Sequence, residues 1–203
     1  MGYEAATLRD IAARAGVSPA LLYRYFPGKR AVLLALYDDL SLDFSRSAAA
    51  VPPGKWRDRF LETLRASLDV LAPHRDTLAA LVPVLVGSRE EGLFAPATAF
   101  SRERVQGAFV AAVAGAKDAP KDEDAAALGR VLYLVHLAVL LFWLLDRSAA
   151  QSATKRLVGL VERTLPAFSL AFRLRALRDV VRGIDGAATA AFLGRVAPAA
   201  GAM

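Results

Sequence analysis

The sequence predicts an all-α protein, with a helix-turn-helix at the N-terminus and a larger helical bundle after it. Apolar residues recur at three- and four-residue spacing along most of the 203-residue chain, as they do on one face of a helix. Turn and helix-capping residues stand where these periodic segments meet. An apolar content of 55%, without a linker rich in proline and glycine, indicates a well-buried body and argues against disorder.

The stretch TLRDIAARAGVSPALLYRYFPGKR predicts two short helices joined by a tight turn. Thr7 can cap the first helix, and Asp10 stands where a capping box has its acid. Gly16 follows the last apolar position and can adopt the left-handed conformation that ends a helix. Ser18 and Pro19 favour the start of the second helix, because serine caps free amides and proline at the first helical position loses no hydrogen bond.

The second predicted helix has two different faces when its residues are spaced by about 100°. Leu22 and Phe26 lie on the inner face and pack toward the first helix. The outer face, which we call the recognition face, consists of Ala20, Leu21 and Arg24. Tyr23 and Tyr25 stand on either side of it. A helix in the major groove needs base-contacting residues at its centre and hydroxyl donors toward the phosphates, so this pattern predicts a DNA recognition helix.

A third helix follows Pro27 and Gly28 and connects the helix-turn-helix to the body. Lys29, at its start, combines a mobile cation with free helix-terminal amides and is a candidate phosphate anchor. The helix has an apolar stripe that enters the body: Leu33, Leu36, Tyr37, Leu40 and Phe44. Three aspartates beside this stripe are expected to form a solvated face rather than a metal site.

The run GVSPALLYRYFPGKRAVL resembles the DNA-binding signature of TetR-family transcriptional regulators, and the resemblance spans about residues 2–40. It implies that the recognition face meets bases. It also implies that Thr7, Tyr23, Tyr25 and Lys29 hold the DNA backbone. We expect Ser18 to be a DNA-binding residue as well. A threonine or other polar residue is common in the family where this chain has Leu21. A leucine there is expected to pack on a thymine methyl group instead of forming a hydrogen bond.

The resemblance also sets the domain division. Residues 1–46 are expected to form an N-terminally truncated helix-turn-helix DNA-binding domain, and residues 47–203 a helical ligand-binding and dimerisation domain. In the family a further helix precedes the segment that GYEAAT resembles, whereas this sequence begins at Met1. We expect either a longer gene product or another cover for the apolar backs of the first two helices. Without such a cover, the alternative is a small-molecule-binding dimer that has lost DNA binding.

Charge and composition are consistent with a bacterial cytoplasmic DNA-binding protein. The net charge is +6, and residues 1–30 hold five basic residues against two acidic ones, which enriches positive charge at the helix-turn-helix. Cysteine is absent, which fits a reducing compartment, and the N-terminus lacks the apolar run of a signal peptide. The sequence has no asparagine, the residue that commonly recognises adenine through its side-chain amide. Arg24 is expected to provide either guanine recognition or a phosphate contact.

Catalytic, metal and cofactor sites are not expected. His74 and His136 are far apart in the sequence, and no serine, histidine and aspartate have the spacing of a catalytic arrangement. We therefore expect a protein that is not an enzyme. An all-helical enzyme is the remaining alternative class.

The body is predicted to contain several further helices. Amphipathic segments, each with an apolar stripe, occupy residues 56–71, 97–116 and 152–172. A short apolar segment at 76–86 is expected to be buried and bent at Pro83. The basic segment RLRALRDVVRGID predicts a terminal helix packed on the body with a solvated basic face, the alternative being contact with a membrane or DNA. Residues 197–203 are expected to be frayed.

The most apolar segment is VLYLVHLAVLLFWLL, at residues 131–145, which holds no charge. A membrane span needs about 20 apolar residues, so no membrane association is expected. A helix that is apolar all round must be covered by protein on every side, and the simplest additional cover is a second copy of the chain. The resemblance places a four-helix homodimer interface at this helix and the one after it.

Aromatic residues suggest a pocket for a small, largely apolar effector. Tyr133 and His136 share one side of the apolar helix, with Trp143 two turns on. With these we group three phenylalanines from preceding segments, Phe94, Phe100 and Phe109. Such a stripe is also typical of an ordinary core, and His136 fits either a satisfied core or interface imidazole or a polar group in a cavity.

The expected mechanism is a homodimeric repressor with one recognition helix in each subunit. Two such helices about one DNA turn apart, or a multiple of it, would bind a palindromic operator. The effector would favour a state whose recognition helices no longer match the half-site spacing. The connecting helix from Lys29 to Ser45 is expected to carry this change.

Overall fold

A computed structural model describes Tyr3 and residues 5–193, and every regular element in this part of the chain is helical. The expected frayed segment at 197–203 lies outside the described residues. The all-α prediction is confirmed. The helices are α1 (Leu8–Ala15), α2 (Pro19–Tyr25), α3 (Lys29–Ala49), α4 (Trp56–Leu71), α5 (Arg75–Ala80), α6 (Val82–Gly87), α7 (Ala99–Ala114), α8 (Asp122–Leu145), α9 (Ser152–Ala171) and α10 (Arg175–Ala188).

The helix-turn-helix forms as its capping residues predict. The Oγ1 of Thr7 accepts a hydrogen bond from the Asp10 amide at 3.2 Å, while the Asp10 carboxylate accepts one from the Thr7 amide at 2.9 Å. Gly16 ends α1 in the left-handed conformation, with φ 67°. Ser18 begins α2, since its Oγ accepts a hydrogen bond from the Leu21 amide at 3.1 Å. These bonds satisfy helix-terminal amides that would otherwise have no partner.

Helix α3 joins the helix-turn-helix to the body without a break. It runs continuously through residue 46, so the expected domain division falls inside it. Leu33 and Tyr37 are buried against Leu81 and Val84 of the α5–α6 segment. Phe44 is buried farther along, in the main core. A displacement of this helix would therefore involve both parts of the molecule.

The main core lies between α4, α7 and α8. Its largest fully buried side chains include Phe60 from α4, Phe109 from α7 and Tyr133 from α8. Helix α10 packs on α8, where Arg130 binds both carboxylate oxygens of Asp185 at 2.6 Å. The prediction that the basic terminal segment packs on the body is confirmed. Two arginines of its basic face bind Asp124 of α8, at 3.4 Å from Arg178 and 3.2 Å from Arg182.

Helix α8 is the central helix, yet one of its sides is uncovered. By length and composition Glu123–Leu145 is apolar enough to cross a membrane, with a mean hydropathy of 2.1, a pattern that the core helix of a helical bundle shares. Leu141, Phe142 and Leu145 are exposed. The expectation that the helix is covered on every side is therefore not met within one chain.

Helices α7 and α8 approach each other most closely at Gly129. A Cβ atom on Gly129 would lie 2.5 Å from the Cα of Val110 and 3.1 Å from its Cγ2. The neighbour at this point is backbone, so a larger residue would force the helices apart. Gly107, on α7, has open space around its Cα and is exposed.

We expect Gly129→Ala to lower the free energy of unfolding by about 1–3 kcal/mol, because an added methyl group overpacks this contact. Gly107→Ala is the matched control and should leave stability unchanged or raise it by about 0.5–1 kcal/mol, as usual for an exposed helix interior. Urea unfolding followed by circular dichroism measures both. Equal stability of the two variants would show that the close approach is absent in solution.

Candidate DNA interface and buried cavity

The recognition face of α2 is turned to solvent. Ala20 and Arg24 are exposed, and Leu21 is 44% exposed. Tyr23 and Tyr25, on either side, are 52% and 69% exposed. The inner-face residues Leu22 and Phe26 are half-buried. The two faces predicted from helical spacing are thus present, and no part of the body described here covers the outer one.

Arg24 has no ion pair or hydrogen bond with any residue that the structure describes, so its guanidinium is available for a base edge or a phosphate. Lys29 is half-buried at the first turn of α3. Its Nζ donates a hydrogen bond to the Tyr3 carbonyl at 3.1 Å and lies 4.7 Å from the centre of the Tyr3 ring. Tyr3 thus orients this ammonium group beside the N-terminus of α3.

Two predicted contact residues already serve as helix caps. The hydroxyl oxygens of Thr7 and Ser18 accept hydrogen bonds from the first turns of α1 and α2. Thr7 also donates its hydroxyl hydrogen to the Asp10 carboxylate at 2.7 Å, and this bond is the main cause that lowers the pKa of Asp10. Both side chains are exposed, and both stand where helix dipoles favour an anion.

A cavity of about 120 Å³ lies in the body, lined by residues of α3 to α8 and of the segment 88–98. Leucine is the commonest residue in its walls, as at Leu40, Leu71 and Leu140. Several polar side chains interrupt this apolar surface: Tyr37, Ser41, Ser67, Thr98, Ser101, Arg102, Tyr133 and His136. Concave, mainly apolar sites with a few polar groups are the usual form of small-molecule sites.

His136 is fully buried at the cavity wall. Its Nε2 is 2.8 Å from the Oγ of Ser67, and its Nδ1 has no partner among the described residues. Burial lowers the pKa of His136 to about 3, so the imidazole is neutral near pH 7. His136 thus lies in the cavity wall as a polar group, and it is not the satisfied core imidazole that the sequence also allowed, because its Nδ1 has no partner among the described residues.

The cavity tyrosines also have unsatisfied hydroxyl groups. Neither Tyr37 nor Tyr133 has a hydrogen-bond partner for its hydroxyl among the described residues. Burial, with a smaller contribution from the charge of Glu91, raises the pKa of Tyr37 to about 12. Burial likewise raises the pKa of Tyr133 well above its usual range. Both hydroxyls stay protonated and can donate a hydrogen bond to a guest in the cavity.

The six residues grouped from the sequence as pocket candidates are separated in the structure. Tyr133 and His136 line the cavity, and Phe109 packs behind them with its ring centre 4.7 Å from that of His136. Trp143 is buried beside the Arg75 guanidinium, 5.5 Å away. Phe94 and Phe100 are exposed. Phe94 contacts Phe192 at a ring distance of 4.6 Å.

Other polar residues of the cavity were missed in the sequence. Ser41, Ser67, Ser101 and Arg102 occupy inward positions of amphipathic helices, where an apolar residue would be expected. A polar residue at an inward position was the sequence signal that could have identified these cavity residues. Arg104 was also missed.

Arg104 links α7 to α3. Its Nη1 donates to the Asp38 carboxylate at 2.7 Å and to the Ser41 Oγ at 2.5 Å. Ser41 also lines the cavity. This pair of bonds therefore joins α7 to the part of α3 that forms the cavity wall, and α3 follows directly after the recognition helix. Asp38, one of three aspartates expected on a solvated face, is half-buried at this contact.

An exposed recognition helix carried by a capped helix-turn-helix, on a helical body with a cavity, defines the class of helix-turn-helix transcription regulators. Residues 1–36 match the family model described as bacterial regulatory proteins, tetR family. The chain is also 33% identical, over 171 residues, to the HTH-type transcriptional repressor KstR of Rhodococcus jostii (strain RHA1). The alignment covers 81% of this chain and 75% of that repressor. The chain belongs to the TetR family of DNA-binding transcriptional regulators, which confirms the resemblance identified from its sequence.

The buried neutral imidazole predicts a specific dependence of stability on pH. In the unfolded chain His136 takes up a proton below its ordinary pKa of 6.5, whereas in the folded protein it does not do so until about pH 3. Its contribution to stability is therefore present above pH 6.5 and is lost as the pH falls below that value. We expect this residue to lower the free energy of unfolding by about 1.5 kcal/mol between pH 6.5 and 5.

Chemical denaturation at a series of pH values measures this slope. His136→Gln should flatten it, while the exposed His74, present in both proteins, provides a common background. An unchanged slope in His136→Gln would assign the pH dependence to other groups.

Proposed function

We propose that the protein is a ligand-responsive repressor that binds a palindromic operator as a homodimer in the bacterial cytoplasm and has no catalytic activity. The observation that carries the proposal is the exposed recognition face of α2, held by a helix that also forms a wall of the buried cavity. The relative from Rhodococcus jostii is named a transcriptional repressor. We extend that role to this chain.

The proposed DNA contacts divide into two groups. Ala20, Leu21 and Arg24 meet base edges in the major groove, with Leu21 against a thymine methyl group and Arg24 on guanine or the backbone. The backbone contacts come from the flanking hydroxyls, the capped helix N-termini and one ammonium group: Thr7, Ser18, Tyr23, Tyr25 and Lys29. Exposure of both α2 tyrosines supports this assignment.

The proposed dimer interface is the uncovered side of α8 together with α9. Leu141, Phe142 and Leu145 of α8 are exposed, as are Leu160 and Leu170 of α9. Clusters of exposed large apolar residues favour a protein partner over solvent. A second copy of the chain would also place two recognition helices in one particle, as a palindromic operator requires.

The proposed effector binds in the cavity and acts through α3. Tyr37, Leu40, Ser41 and Phe44 of α3 line the cavity, and the same helix begins directly after the recognition helix. An effector that fits a shifted position of α3 better would favour a state whose recognition helices no longer match the operator. DNA and effector would then weaken each other's binding by the same factor.

Replacing single residues of α2 separates base recognition from backbone binding. We expect Arg24→Ala to change base preference in a selection from random DNA, because it removes the one cationic side chain of the recognition face. Arg9→Ala is the matched control: Arg9 is also exposed, and losing it removes the same charge from α1. Tyr23→Phe should weaken binding to all sequences alike. Salt titrations of binding measure the backbone contribution.

If Arg24→Ala and Arg9→Ala select the same DNA sequences as the unchanged protein, Arg24 does not contact bases. A uniform loss of affinity in Arg24→Ala would assign it to the phosphates instead.

We expect Phe142→Glu to convert the dimer into a monomer, because it places a charge in the apolar contact between subunits. Val180→Glu is the matched control: Val180 is 55% exposed on α10, against 43% for Phe142, and lies outside the proposed interface. Light scattering coupled to size-exclusion chromatography measures the mass. A Phe142→Glu protein that stays dimeric would exclude this surface as the interface.

A further inference from the structure

We infer that the cavity binds a compact apolar carboxylic acid, whose carboxylate pairs with the buried guanidinium of Arg102. The inference rests on the proposed function, because it assigns a chemical class to the effector of the same site. It follows from a charge in this cavity that has no counter-ion among the described residues.

Arg102 is 4% exposed and lines the cavity from α7. Its Nη1 donates to the carbonyl oxygens of Leu93 at 3.2 Å and Ala95 at 3.3 Å. Among the described residues, its Nε and Nη2 have no hydrogen-bond partner, and no carboxylate lies within 4.0 Å of the guanidinium. Arginines are rarely fully buried unless they are paired, because a guanidinium deprived of water needs compensation.

The two hydrogen bonds of Nη1 fix the position of the Arg102 guanidinium. Its other three N–H groups, one on Nε and two on Nη2, have no acceptor among the described residues. Nε and Nη2 form one edge of the planar guanidinium, and such an edge matches the two oxygens of a carboxylate. A neutral carbonyl group would accept one bond but would leave the buried charge uncompensated. The pairing that satisfies both hydrogen bonding and charge is with an anion.

Two tyrosine hydroxyl groups add donors to the lining of the same cavity. The charge of Arg102 reaches Tyr133 strongly enough to oppose, in part, the rise that burial causes in its pKa. The Tyr133 hydroxyl has no partner among the described residues, and neither has that of Tyr37. The cavity lining thus has hydroxyl donors without a partner among the described residues, and a carboxylate can accept hydrogen bonds from them.

The rest of the cavity sets the size and polarity of the acid. Its wall is formed largely by aliphatic side chains: Leu71, Leu78, Leu85, Leu137, Leu140 and Leu144. A volume of about 120 Å³ is slightly smaller than the roughly 150 Å³ of an apolar cavity that holds benzene. An acid with about six carbon atoms fits with little movement, and a longer one must displace the surrounding helices, α3 among them.

Matched acids and amides test the inference on the full chain. Isothermal titration would compare hexanoate with hexanamide and benzoate with benzamide at pH 7.5. We expect each acid to bind about tenfold or more tightly than its amide, as a charge-assisted pair implies. Arg102→Gln should abolish the preference, and Arg102→Lys, which keeps the charge, should retain part of it. Arg89→Gln is the control, because Arg89 is exposed and should leave the ratio unchanged.

The acid-to-amide ratio of the unchanged protein decides the question even if Arg102→Gln does not fold. Equal binding of acids and amides, tighter binding of amides, no binding of either acid, or an unchanged ratio in a folded Arg102→Gln protein would each overturn the inference.

Release of operator DNA, measured separately by fluorescence anisotropy, distinguishes this inference from the proposed function. Acids that bind through Arg102 without releasing DNA would leave the site assigned but refute its role as an effector site. Amides that release DNA while acids do not would support the effector site and refute the carboxylate.

Discussion

Helix α3 supplies a buried side chain to each of the three hydrophobic clusters of the described structure. Leu33 and Tyr37 belong to the cluster with α5 and α6, Leu40 to the one around Trp143, and Phe44 to the main core. A helix anchored at three successive points is expected to move as a unit, because close-packed protein interiors do not deform locally. The position of the recognition helix relative to the body therefore depends on how these three clusters are packed.

The cavity lies against the same helix, α3. Three of the four buried α3 side chains in these clusters face the empty volume as well as the packed core: Tyr37, Leu40 and Phe44. Under the proposed mechanism, a guest that fills this volume alters the packing of α3, the helix that continues into the DNA-binding part. The Arg104 bonds to Asp38 and Ser41 add a polar contact at the same level of α3. Apolar packing and this polar contact thus determine together where α3 lies.

The parts of the fold that local interactions determine were predictable from the sequence. The helix-turn-helix followed from the caps at Thr7 and Ser18 and from the left-handed Gly16, each of which acts within a few residues. The α3 stripe followed from its spacing. The cavity was harder to predict, because its lining comes from helices far apart in the sequence. Nothing local distinguishes Phe109, which packs behind the cavity, from Phe94, which lies on the surface. Likewise, the burial of Arg102 depends on the loop carbonyls that receive its hydrogen bonds.

The small hydroxymethyl group of Ser41 lies where the empty volume meets α3. A bulkier side chain at this position would occupy permanently the space that a guest molecule takes only when it is present. Under the proposed mechanism, such a substitution of Ser41 imitates the effector from inside the protein, and its phenotype is continuous expression of the controlled gene. An effector site of the proposed kind requires the chain to keep a void that improved packing would otherwise remove.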